Sequence, residues 1–74
     1  MTYQIRPADP SLWPELGRGV TLDRRRDYPA ALRRATERAA AEGEDVLITR
    51  GGYAVATVEP GGRVERYYPE RMIY

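Results

Sequence analysis

The residues of this chain best suited to chemistry are arginines and tyrosines, and both favour binding over catalysis. All 12 basic residues are arginine, and lysine, histidine and cysteine are absent. Arg24, Arg25 and Arg26 stand in a row. A guanidinium pairs with a phosphate through two parallel hydrogen bonds, so the triplet suits the backbone of duplex DNA. It also fits a solvated turn, because three consecutive side chains fan out and cannot share one helix face. Between Arg18 and Arg38, seven arginines oppose Asp23, Asp27 and Glu37; from Ala39 to Gly62, only Arg50 opposes Glu42, Glu44, Asp45 and Glu59. The net charge is only +1, so this asymmetry lies within a nearly neutral chain.

A second group lies at the C-terminus. Tyr67, Tyr68, Met72, Ile73 and Tyr74 crowd around Pro69, and together with the single tryptophan, Trp13, they are the candidate partner-binding residues. Aromatic residues and Met are enriched where proteins meet. The alternatives are structural. The tail can pack on the domain's own sheet, and Trp13, between Leu12 and Leu16, can anchor its segment on the core.

Nothing in the inventory suggests catalysis. A nucleophilic mechanism needs a base, and no His, Cys or Lys is present to supply one. The same absence removes the usual metal ligands. Glu42, Glu44 and Asp45 crowd a turn rather than a cleft. The expectation is a protein that is not an enzyme and uses no cofactor or metal.

The elements that must position these residues are legible. Asp27 suits a helix N-cap, with Pro29 in the first turn, where a missing N–H costs nothing. Tyr28, Leu32, Ala35 and Ala39 then recur on one face, and Gly43 suits the left-handed position after the helix. The spacing predicts a helix over 29–42, with Arg33–Glu37 and Arg38–Glu42 as ion pairs on its surface. Residues 46–50 and 53–58 read as a hairpin reversing at Gly51-Gly52, with Ile48 opposite Val55 and Val46 opposite Thr57. Leu47, Thr49, Ala54, Ala56 and Val58 then share the other face. After the turn at Pro60-Gly61-Gly62, residues 63–68 can return as an edge strand. Met1, Tyr3 and Ile5 alternate with polar residues as in a short strand ended by Pro7. Val20-Thr21-Leu22 reads as another brief strand, with Asp23 capping a turn into the arginines.

The resulting fold class is α+β, one main helix packed on a small antiparallel sheet. All 74 residues form one domain: an N-terminal extension (1–19), a helix–hairpin core (20–60) and a C-terminal strand or tail (61–74). A chain this short buries only about 60% of its unfolded surface, and it has no cysteine for a cross-link. A hairpin apolar on both faces therefore suggests a second copy or a partner, with a homodimer expected. No apolar run reaches the roughly 18 residues of a membrane span, and MTYQIRP lacks a signal-peptide pattern, so a cytoplasmic, membrane-free protein is expected.

The run GEDVLITRGGYAVATVEP resembles the Phd/YefM family of antitoxins. The likeness is carried by Gly43, Glu44, Val46, Ile48, Thr49, Gly52, Val55, Ala56, Val58 and Pro60, and extends more loosely back to Val20. It implies a dimeric α/β domain whose N-terminal part contacts operator DNA and whose C-terminal extension neutralises a toxin. The family's basic segment would correspond to Arg24, Arg25 and Arg26. Against the pattern, 19 residues precede the matching strand, the spacing to the hairpin is about one helical turn longer, and the tail is short. The other reading is an interaction module without DNA, an inhibitor or accessory subunit.

Overall fold

The computed structural model describes residues 2–8 and 23–72. In chain order these form β1 (Tyr3–Pro7), β2 (Asp23–Arg25), α1 (Tyr28–Glu42), β3 (Val46–Arg50), β4 (Tyr53–Val58) and β5 (Val64–Met72). The five strands make one antiparallel sheet in the order β2-β1-β3-β4-β5. Helix α1 carries the chain from β2 to β3 across β1, a split β-α-β unit. The fold is the expected α+β class, with five strands in a sheet expected to hold the hairpin and one further edge strand. Residues 3–7, counted in the N-terminal extension, lie between β2 and β3, and Ile5 is fully buried. The strand expected at Val20–Leu22 falls outside the described residues.

Local chemistry explains the helix. Asp27 Oδ1 accepts from the Ala30 N–H at 2.8 Å, and Gly43 at φ 66° closes the last turn by donating to the Ala39 carbonyl. Ala31, Ala35 and Ala39 are fully buried, with Tyr28 and Leu32 packed at the margin. Arg38 pairs with Glu42 at 2.8 Å as expected, but Glu37 pairs with Arg34 at 3.1 Å instead of Arg33. Residues three and four apart are both neighbours on a helix, and here the shorter spacing holds the pair.

Gly51 and Gly52, both at positive φ, reverse β3 into β4 as a two-residue hairpin requires. The inner register differs from expectation. Arg50 faces Tyr53, but beyond Thr49 the ladder shifts, so Ile48 faces Ala56 and Val46 faces Val58. The bulge takes up Val55 as an extra residue and turns Ala56 and Val58 toward the helix. The core is therefore Ile5, Val46, Ile48, Val55, Ala56 and Val58 under three alanines of α1. Strand β5 is longer than expected, running through Met72 as the sheet's outer edge. Its ladder shifts too, leaving residues 67–70 opposite Val55 alone. No helix among the described residues is long and apolar enough to cross a membrane.

Ile48 is fully buried at the centre of this core. Replacing it with Ala should cost about 2–5 kcal/mol, read as a lower urea midpoint, and should leave a domain of this size largely unfolded.

Candidate functional site

The directions of the strands and helix gather aromatic rings and guanidinium groups at one end of the domain. The chain turns at Gly51-Gly52 just beyond Arg50, Tyr3 faces Arg25, and α1 begins at Tyr28. The Tyr3 and Tyr28 rings meet edge to face at 5.8 Å. Arg50 lies over Tyr3, its guanidinium carbon 5.6 Å from the ring centre, and donates to both oxygens of Glu70 at 2.9 and 2.7 Å. Arg66 lies 4.2 Å above Tyr28 and 5.1 Å from Tyr68. The row Arg50–Tyr3–Tyr28–Arg66–Tyr68 thus links β1, α1, β3 and β5.

Stacking on a ring suits arginine because its planar guanidinium is weakly hydrated. Arg66 shows the consequence: its Nε and Nη1 are enclosed with no hydrogen-bond partner, and ring faces cover them instead. Burial alone would weaken its hold on the proton, but the Tyr68 and Tyr28 hydroxyls outweigh that and raise its pKa. Arg66 is a permanent cation.

The expected DNA-contact residues sit at the opposite edge of the sheet from β5. Arg24 and Arg25 are not in a turn; they belong to β2, facing Gln4 and Tyr3. Pairing with β1 draws them into the sheet, and charge is common on edge strands because it discourages further pairing. Arg24 and Arg26 are exposed, and Arg25 is half-buried, donating to the Arg24 carbonyl at 2.6 Å. The far end of the domain holds Glu42, Glu44, Asp45 and Glu59, at the helix terminus and the two turns beside it. The asymmetry along the chain therefore becomes a separation in space.

The expected partner-binding residues divide. Tyr67 is half-buried, its hydroxyl 2.7 Å from Thr57 Oγ1 and its ring under Arg71 at 4.8 Å. Tyr68 and Met72 are 81% and 67% exposed. Trp13, Ile73 and Tyr74 lie outside the described residues. Tyr53, which faces Met72 on β4, adds to the exposed apolar surface. Sequence reasoning missed Tyr3, Arg50, Arg66 and Glu70 as members of a cluster. Arg50 beside the Gly-Gly turn was a usable signal, whereas Arg66 over Tyr28 joins residues far apart in the chain.

Among the described residues, no group of three or more His, Cys, Asp or Glu is placed to hold a metal ion. The arrangement offers guanidinium groups for anions and exposed rings for apolar surfaces. The chain was compared with protein-family models, curated proteins and solved structures. None of the three comparisons found a match.

The Arg50–Glu70 bond ties the hairpin tip to the outer strand across partly exposed surface. A double-mutant cycle with Arg50→Met and Glu70→Gln should give a coupling of about 0.5–1 kcal/mol by urea denaturation, falling with added salt.

Proposed function

We propose that this chain is a small dimeric regulator of antitoxin type, which touches duplex DNA through Arg24, Arg25 and Arg26 and meets protein through the β5 side. The observation that carries the DNA reading is the gathering of this triplet beside the start of α1 at one end, with Glu44 and Asp45 at the other; Arg50 is taken up by Glu70, and Glu42 and Glu59 by Arg38 and Arg63. A domain polarised in this way presents an anion with one favourable end and repels it from the other. The likeness of residues 43–60 to Phd/YefM antitoxins supports the same reading and adds a toxin held by residues 61–74. Tyr68 and Met72 supply exposed apolar surface there.

That exposed surface also favours a second reading, an interaction module without DNA. Salt separates the two. In the first reading, affinity for duplex DNA falls steeply with rising salt, because bound arginines release counterions. Changing Arg24, Arg25 and Arg26 together to Ala should flatten that slope and weaken binding to all sequences alike, since phosphate contacts do not read bases. The helix signal in circular dichroism should persist. Absence of duplex binding at low salt leaves the interaction module; an unchanged slope in the triple variant assigns the contact to other residues.

A further inference from the structure

Strand β5 is an outer edge whose sequence complements itself. Read outward from Tyr68, Val64-Glu65-Arg66-Tyr67 meets Met72-Arg71-Glu70-Pro69 of an inverted copy. Each acidic residue then falls opposite an arginine. The faces agree as well. Glu65 and Arg71 face Thr57 and Ala54 of β4, on the side away from the helix, where Thr57 bonds the Tyr67 hydroxyl and Arg71 covers its ring. Arg66 and Glu70 lie on the helix side, against Tyr28 and Arg50. Val64 and Met72 face Val58 and Tyr53.

We infer that β5 is the surface through which two copies of this chain meet, related by a twofold axis through Tyr68, with Glu65 of each copy opposite Arg71 of the other. Three observations support a second copy over a foreign chain. A twofold contact must be self-complementary, and this strand is so in both charge and face. Among the described residues neither Glu65 nor Arg71 makes an ion pair, and Arg71 rests on the Tyr67 ring, so both charges are available. The exposed large apolar residues of β5, namely Val64, Tyr68 and Met72, are the ones this register covers, Val64 against Met72 and Tyr68 against itself. Residues 67–70 bulge from the ladder, and Pro69 has no N–H, so side chains on the arms flanking the bulge carry the contact in place of an unbroken backbone ladder. The inference specifies the dimer of the proposed function and assigns Val64, Tyr68 and Met72 to the second copy in place of a toxin; it does not depend on DNA.

Charge reversal tests it by sedimentation in the micromolar range, without DNA. The wild type should be dimeric. Glu65→Arg alone places Arg against Arg twice per dimer, and Arg71→Glu alone places Glu against Glu, so each should weaken self-association at least about tenfold. Mixing the two variants should restore a dimer with one copy of each, because every cross-strand pair is then again Arg with Glu. The double variant should self-associate like the wild type. Both positions are exposed, and helical circular dichroism checks that each variant is folded. A monomeric wild type overturns the inference, as do single variants that dimerise normally or a mixture that stays monomeric. The salt dependence of DNA binding, measured on the same variants, reads the arginine triplet separately.

Discussion

Ala31, Ala35 and Ala39 lie fully buried against a sheet whose inward side chains are Ile5, Val46, Ile48, Val55 and Val58. This close seat of helix on strands is what the rest of the domain depends on. A methyl side chain lets the helix backbone approach the sheet, so a few β-branched residues suffice to fill the gap. It also leaves little tolerance, since a larger side chain at Ala35 would lift the helix from the strands. The Asp27 cap and the Gly43 turn set where that face begins and ends. Strand β1 lies beneath it, between the two strands that α1 connects.

The ring and guanidinium cluster follows from the same geometry. Once α1 is seated, Tyr28 at its start comes within reach of Tyr3 on β1 and Arg66 on β5. A small core cannot enclose so many large polar side chains, and stacking lets them cover its end while the guanidinium groups keep their charge. Charge segregation has a similar origin. The helix starts beside the arginines of β2 and ends beside the carboxylates of the next turn, and β3 returns alongside it. A modest bias along the sequence thereby becomes a domain with unlike ends.

Local signals were readable in the sequence because their causes are local. Asp27, Gly43 and the Gly51-Gly52 pair each mark a backbone conformation that few residues favour, and the structure uses them so. The features that were not readable depend on distant partners. The alternation of Val46 to Val58 suggested an unbroken ladder, and nothing near Val55 announced the bulge that turns Ala56 and Val58 inward. Arg24 and Arg25 looked like a solvated turn because their strand character comes from β1, outside their own neighbourhood. Arg66 looked like an edge strand's ordinary charge, and Glu70 lay beyond the expected strand, until the fold set them against Tyr28 and Arg50. The arginine triplet and the exposed Tyr68 and Met72 were visible from residue type alone.

The proposed function requires separate surfaces for nucleic acid and for protein on this domain. Backbone amide NMR of the labelled protein, titrated with a short duplex at low salt, tests it most directly. The account predicts that shifts concentrate at Arg24, Arg25, Arg26 and the first turn of α1, fade as salt rises, and spare residues 64–72. Shifts centred on β5, or on the acidic end around Glu42–Asp45, would contradict it.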